Sequence, residues 1–575
     1  MAKKIQNLLI DNFATGLNVV DSPHDMENSD LQIADNVVFR PTGEVESIEG
    51  LLQVGNEIYI NGTIASKCLG GIKFNGTTYI MASNGTVSRL VYLDSTLTGS
   101  ITSFADAGGG KVTVTSASHN LNNNDSVTIT GTTNYNGVYT IANVSTNTFE
   151  ITTTWVSNDA TGTWVTTGWT EVSSVDFDKD TMCDFQVYNN KIWFVNGLTT
   201  NSNVIHFVST SNVLSGLTTS SGLPSGIKRI VLHLERVWLS KGNSLYVSKQ
   251  YPIGGDTDWD ATRVYSGSDA PGLIQLDNDT EDEIKNMISH FGQLVIFREF
   301  KINVVTGKII LTSTIEKSFN SRGIIADFSL GRSDQALYFL SREGVKQFSG
   351  ITTQDQTTQF DSVSTIGLDR KIRSEITSFS DQTKAIGYAF KDKYYISDTN
   401  NTILVFDEIT GGWSKWNIGG AEMFLEDGDD LYCAKAAKYY KINADTSGSF
   451  TSRIKTKDFN LGTDQVNKIF EKLLATFKTS SSSQNITLEW YIDGAKTSSG
   501  TKDITLQGSG VKWDGSGIKW DSGLRWDSGE VSFLTEKQRK LSSGITIAFG
   551  VKALTTNRFS LSSIDLLFEQ IRRES

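Results

Sequence analysis

Apolar and polar positions alternate along most of this chain, and from Phe185 to Asn443 the alternation recurs as one unit. An apolar strand ends in a polar turn of Gly, Asn, Asp or Ser, and a second apolar strand follows. The copies run Phe185–Asn196 with Val204–Val208, Ile230–Leu239 with Ser244–Ser248, and Leu294–Arg298 with Lys301–Thr306. They continue with Ala336–Ser341 and Gly344–Phe348, Ala385–Ser397 and Thr402–Phe406, and Asp430–Ala434 and Tyr439–Ile442. A further copy, Ile72–Ser83 with Val87–Leu93, stands upstream of a long interruption, giving about seven at unequal spacing. β-Branched and aromatic residues fill the apolar positions, as in Lys191-Ile192-Trp193-Phe194 and Lys393-Tyr394-Tyr395-Ile396, so each copy is a hairpin and not a helix. One hairpin cannot bury its apolar face alone; repeated hairpins do so by stacking or by radial arrangement, and a propeller leaves only short, protected edges. The pattern predicts an all-β chain with a six- or seven-bladed β-propeller-like core over residues 51–100 and 166–449. A pair of stacked sandwiches is the alternative use of the same hairpins.

The flanking segments differ. Residues 1–50 carry short strands and turns but too few apolar positions to close a core, which predicts an extended arm packed on the rest. Residues 101–165 are nearly free of Lys and Arg and crowded with Thr, Asn, Ser and Gly. Strands at Lys111–Thr115, Ser126–Thr130, Val138–Val144 and Thr148–Thr152 make this an inserted small β module on an exposed loop. Its turn Asn134-Tyr135-Asn136-Gly137 is the candidate exposed display site, with a solvated spacer as the plainer alternative. Val363–Ile376 is the best helical stretch, with Leu368, Ile372 and Ile376 on one line, and predicts a connector helix. From 450 to 575 the hairpin unit stops. Leu473–Lys478 with Asn485–Ile492, and Ile545–Leu554 with Phe559–Phe568, predict a separate β-sandwich-like domain. Within it a basic–Trp–Asp unit recurs at Lys512-Trp513-Asp514, Lys519-Trp520-Asp521 and Arg525-Trp526-Asp527. Trp513, Trp520 and Trp526 are candidate partner contacts on a Gly-rich segment; packing back onto their own sheet is the alternative.

Composition sharpens this picture. The 575 residues suffice for several domains. With 51 Gly and only 5 Pro, turns fall to Gly, Asn, Asp and Ser, the residues that positive-φ hairpin turns need. The net charge of −12, with no clustered Lys/Arg run, argues against tight phosphate binding. Cys68, Cys183 and Cys433 are far apart in sequence and form no disulfide framework, so reduced thiols in a cytoplasmically made protein are expected. No apolar run has the length of a membrane span or signal core, so a soluble, unexported chain is expected.

Chemical motifs are few. His24, His119, His206, His233 and His290 lack metal-ligand spacing, and no Walker loop or Gly-x-Ser-x-Gly elbow occurs. Asp256, Asp258 and Asp260 resemble the start of a calcium loop but lack its Gly and bidentate Glu. The acidic run Asp277–Glu283 is expected to be solvated. No carboxylate pair stands out as a glycosidase site. The motifs therefore predict a non-enzyme with no cofactor and no metal.

Four stretches carry a family likeness. Gly16-Leu17-Asn18, Asp21-Ser22-Pro23, Ala34-Asp35-Asn36-Val37 and Gly43 resemble the opening of tail hub and nozzle (packaged-DNA stabilisation) proteins of short-tailed bacteriophages. Gly323-Ile324-Ile325-Ala326 with Leu337–Gly344, Tyr394–Ile396 with Val405–Asp407 and Gly412–Trp416, and the Trp-Asp repeat are similar to the same family. The insertion, through Asp125–Ile129 and Tyr135–Ile141, resembles small β modules of phage tail and fibre proteins. The likeness spans most of the chain through loose motifs. It implies a virion tail protein assembled in the host bacterial cytoplasm: a homohexameric ring below the portal and adaptor that retains packaged DNA and conducts it at ejection. The implied partners are the head–tail adaptor, a tail fibre or tailspike, a tail plug or needle, and genomic DNA passing without sequence-specific contact. Six chains would carry a charge of roughly −70, and an acidic lumen repels phosphate. A receptor-binding or fibre-attachment protein is the second expectation, and a glycan-degrading propeller enzyme the third.

Overall fold

The computed structural model describes residues 5–219, 222–249, 272–276, 282–306, 314–320, 323–351, 363–399, 402–445, 448–462, 466–478, 483–506 and 533–570. Almost all of its regular structure is strand. Each predicted hairpin belongs to a four-stranded antiparallel unit. The second sheet, for example, is Asp184–Tyr188, Lys191–Val195, Asn203–Val208 and Leu214–Thr218 in simple meander order. Asn189 and Asn190 turn its first hairpin with φ of 47° and 54°, the left-handed geometry of a tight two-residue turn. The same order repeats from Arg229 to Gln275, from Ile284 to Asn320 and from Gly331 to Gly367.

Among the described residues five such sheets stand free, fewer than the six or seven separate blades expected. The reason is continuity: two more four-strand units, Lys67–Phe74 to Glu171 and Ile386–Phe390 to Trp416, are built into larger sheets. The first strands of successive units pack side by side, and the last of them, Met423–Asp427, returns to Lys67–Phe74. Apolar residues of neighbouring units fill the wedges between them. Trp238, Leu245 and Val247 meet Met287, Leu294 and Ile296 in one wedge, and Phe297 and Val304 meet Phe339 and Phe348 in the next. This is a β-propeller.

The N-terminal fifty residues are woven through it, as strands β1 (Ile5–Ile10), β2 (Gly16–Leu17), β3 (Asp30–Asp35), β4 (Val37–Phe39), β5 (Val45–Ser47) and β6 (Gly50–Gln53). β6 is the outer strand of the sheet that begins at Met423, so an early segment completes the last blade. β2 and β3 run parallel to Trp413–Trp416, and β3 also pairs with Ser452–Thr456. One ten-stranded sheet thus passes from a blade, through the arm, into the C-terminal region.

That region is a two-sheet sandwich, but it is not separate. Ser452–Thr456, Ile547–Ala553, Gln484–Ile492 and Gly500–Leu506 form one face; β4, β5, Ser560–Gln570, Lys468–Lys478 and Phe533–Gly544 form the other, with β1 beside Ser560–Gln570. A single core holds Phe13, Leu31, Trp413, Phe470, Leu488, Phe549 and Leu566 together. The expected hairpins therefore do not exist as pairs. Leu473 and Phe477 face Ile486 and Leu488 across the core from opposite sheets, as do the two later strands. A strand with one apolar face looks the same in sequence whether its partner lies beside it or across the core.

The predicted connector helix is also shorter than expected. Val363–Gly367 is the fourth strand of a blade, and only Arg370–Ile372, a 3-10 turn, and α1 (Arg373–Thr377) are helical. The inserted module folds on its own core of Phe104, Val112, Val114, Val127, Tyr135, Phe149 and Ile151. It shares the sheet of its host blade, because Ser88–Ile101 and Gly162–Glu171 run unbroken from blade into module.

Candidate functional site

The innermost strand of each blade begins at the same end of the propeller, and the residues at those beginnings form its mouth. A cavity of about 470 Å³ opens there, with Lys67, Asp180, Lys228, Arg229, Asp327, Lys384 and Glu422 around it. Leu69, Met182, Phe328 and Ile386 supply its apolar wall. The charges are knitted across blades: Lys67 meets Asp180 at 2.6 Å, and Arg229 meets Asp327 at 2.7 Å. Arg229 also donates through Nε to the Lys285 carbonyl and lies 4.3 Å from the centre of the Phe328 ring. Glu422 accepts the backbone N–H groups of Cys68 and Ala436 at 2.8 and 2.7 Å. Burial nevertheless pushes the Glu422 carboxyl above the ordinary glutamate range. Asp184, which accepts the Ile230 N–H at 2.9 Å, is raised by burial as well, against the pull of Arg229.

Beside the mouth lies a second, smaller cavity, where Asp184, Asn286 and Glu422 supply polar groups. Met182, Met287, Phe328, Leu330, Ile386, Tyr388, Met423 and Phe424 border a space of about 230 Å³.

The second cluster is the seam between arm, propeller and sandwich. Asp30, 1% exposed, accepts from Asn18 at 2.8 Å, Thr15 at 2.7 Å and Lys371 at 2.7 Å. Asp21 accepts from Asn18 at 2.9 Å and pairs with Arg370 at 3.1 Å, so burial costs are offset by two cations from the helical turn. The Asn18 side-chain amide, followed by this Arg370 charge, holds the Asp21 carboxyl below its usual range. Asn36, at φ 55°, donates to the Thr451 carbonyl at 2.7 Å and accepts the Asn417 N–H at 2.6 Å. Gly16, at φ 72°, lies so close to Trp413 that a Cβ would sit 2.6 Å from its backbone N and O.

The predicted site residues fare unevenly. Asn134 and Asn136 are exposed and Gly137 is half-buried, but Tyr135 is buried, which corrects its assignment to a display surface. Its ring stacks on Phe104 at 4.5 Å and its hydroxyl donates to the Ser157 carbonyl at 2.8 Å, so this aromatic anchors the module's core. Asn134 and Asn136 spend much of their polarity on Ser157, Asp159 and Thr132 of their own module. Trp513, Trp520 and Trp526 lie outside the described residues, as do Asp256, Asp258 and Asp260. Of the acidic run, Asp282 is buried against Arg298 and Glu283 pairs with Lys228 at 2.6 Å, so neither is merely solvated. Among the described residues no three His, Cys, Asp or Glu side chains converge as a metal site, and no helix is long and apolar enough to cross a membrane. The three cysteines are free and buried, and burial raises all three thiols. Arg229, Asp327 and Glu422 were missed from the sequence; their shared signal is a charged residue at or just before a blade's first strand.

No known protein-family profile matches the sequence, and no curated protein does. Solved structures do. A catalytically inactive virginiamycin B lyase from Staphylococcus aureus with quinupristin matches at 12% identity and a TM-score of 0.31, over 61% of this chain and 99% of that one. The WD40 domain of Pan2 from Neurospora crassa matches at 9% and 0.28, over 60% and 90%. YCF48 bound to a D1 peptide matches at 8% and 0.31, over 62% and 98%. The likeness is one of fold alone. In each case it covers about three fifths of this chain.

Proposed function

We propose that the protein is a structural tail subunit of a short-tailed bacteriophage, forming a ring-shaped nozzle or hub below the portal and adaptor that retains packaged DNA and conducts it at ejection. The observation that supports this reading is the position of the residues that carry the family likeness. Gly16, Asn18, Asp21 and Asn36 lie in the seam where blade, arm and sandwich meet. The pattern thus follows the contacts that make two lobes one rigid body, the property a pressurised shell subunit needs. In this reading the conduit runs between copies of the chain and not through one. The role is structural, not catalytic. Light scattering and particle imaging of the purified protein, alone and on its neighbouring tail proteins, test it. A six-fold ring with a central opening is expected. A trimer or lone propeller on the virion would overturn it.

Receptor binding or fibre attachment is the second reading. It is favoured by the inserted module, where Val138 and Val156 are 70% and 61% exposed. It requires cell or glycan binding by the isolated protein, and that binding must vanish with the module.

A further inference from the structure

The charged groups around the propeller mouth are spent on partners: Lys67 on Asp180, Arg229 on Asp327, Lys228 on Glu283, Lys384 on Asp381, and Glu422 on two backbone N–H groups. A cavity of about 450 Å³ at the root of the inserted module is the reverse case. It opens between residues 120–123 and 144–146 of the module and the short hairpin of residues 59–64, and no Asp, Glu, Lys, Arg or His lines it. Its walls are held from within. The Leu121 N–H donates to His119 Nδ1 at 3.1 Å, the Asn122 N–H to Asp125 at 2.8 Å, and the Val144 N–H to the Asn123 side chain at 3.0 Å. The Tyr59 hydroxyl donates to the Asn123 carbonyl at 2.7 Å and ties hairpin to module. Three lining side chains take no part in this. Asn120 and Thr146 are exposed and Asn122 is half-buried, and none of these side chains has a hydrogen-bond partner among the described residues. Two amides and a hydroxyl, each group able both to donate and to accept, therefore border one uncharged space. The volume is that of a small-ligand cleft, and its braced loops lower the ordering cost of binding.

We infer that this cleft is a binding site for a neutral saccharide, with Asn120, Asn122 and Thr146 exchanging hydrogen bonds with its hydroxyl groups and the Tyr59 ring covering its C–H face. Hydroxyl groups match the cleft because they too both donate and accept, so each wall group finds a partner whichever way it turns. An apolar ligand would strip water from the two amides and the hydroxyl and return nothing. An anion meets no cation there. It meets instead the field of Glu57 and Asp125, which, after burial, raise the Tyr59 hydroxyl above the ordinary tyrosine range. The site goes beyond the tail reading, since it needs one folded chain and not a ring, and its failure leaves the symmetry test of that reading untouched.

Ligand-observed NMR titration of the full-length protein with glucose, galactose, mannose and N-acetylglucosamine tests it, beside glucuronate, galacturonate and acetyl-alanyl-alanine amide. Saturable binding of at least one neutral sugar is expected, with a Kd on the order of millimolar, both acids at least about fivefold weaker and the peptide silent. Asn122→Ala combined with Thr146→Val removes two polar groups and no hydrogen bond of the fold. The melting temperature should therefore hold while the affinity falls about tenfold or more. Asn120→Gly, which keeps the left-handed backbone at φ 53°, should weaken the sugar as well and serves if the double variant misfolds. No saturation by any of the four sugars at about 50 mM overturns the site. So does sugar affinity unchanged by these substitutions, or equal binding of the acids or the peptide.

Discussion

Asn36 joins three stretches through one side chain and its own backbone. Its amide bridges Thr451 and Asn417, its N–H donates to the Lys415 carbonyl, and its carbonyl accepts from Ile48 and from the Ser452 hydroxyl. Asn36→Ala strands two buried partners and keeps a left-handed backbone that Ala resists, so it should cost about 2–4 kcal/mol in urea denaturation. Gly16→Ala should cost a similar amount, because the added carbon meets Trp413 backbone and not a movable side-chain end. Two titrating residues pull stability in opposite directions with pH. His206 is buried between Phe177 and Phe194 with neither ring nitrogen paired, and burial lowers it to about 4. Its unfolded form takes up a proton first, so its penalty is absent above the ordinary histidine value and grows as pH falls toward 4. Asp125, at the base of the inserted module near Glu57, is raised by burial to about 6. Here the folded form holds the proton longer, so stability is highest below the ordinary carboxylate value and is lost as pH rises through 6. Asp125→Asn keeps an oxygen for the Asn122 N–H and should raise the melting temperature at about pH 7.5 more than at about pH 5. Thermal melts of both proteins at the two pH values check this.

At the scale of elements, the blades were legible because their middle strands are short buried runs of β-branched and aromatic residues and their turns use Asn, Asp and Gly where φ is positive, as at Asn189-Asn190 and Lys391-Asp392. Outer strands such as Leu214–Thr218 and Gly272–Gln275 are half-buried at most positions and short, so they carried little signal. Val363–Gly367 was read as helix because Leu368, Ile372 and Ile376 just beyond it fall on one helical line; in the fold Ile366 is exposed and the strand ends where Trp413 donates to the Leu368 carbonyl. The module's boundaries were legible as a change in composition, whereas the burial of Tyr135 was not, since Asn-Tyr-Asn-Gly has the polarity of an open turn. Ile101 and Gly162 are cross-strand partners at the module's root. Replacing residues 102–161 by a two-residue Asn-Gly turn should therefore leave a cooperatively melting propeller with near-native circular dichroism. Loss of the fold would show that the module supports its host blade.

For the whole molecule, the expected all-β propeller was recovered, while the seam was not. Residues 1–50 have no core of their own, and only the pairing of β2, β3 and β6 with strands some four hundred positions later gives them a place. Removal of residues 1–53 should open the last blade and expose one side of Trp413 and Phe549, giving aggregation or an expanded hydrodynamic radius in gel filtration. Under the tail reading, neutralising acids that face the ring's opening should slow ejection or make it salt-sensitive, measured as DNA release from purified particles.

The pairing of β5 with Ser560–Gln570 also sets an order of events on the ribosome. Between the emergence of these two segments the translating machine must add several hundred residues, roughly half a minute to two minutes of elongation. Throughout that time β1 hangs unpaired and β5 has only β4 beside it, while the intervening blades can already close on one another. Ser560–Gln570 is the strand that gives β1 its neighbour. The arm is thus settled only once Ser560–Gln570 has emerged from the ribosome.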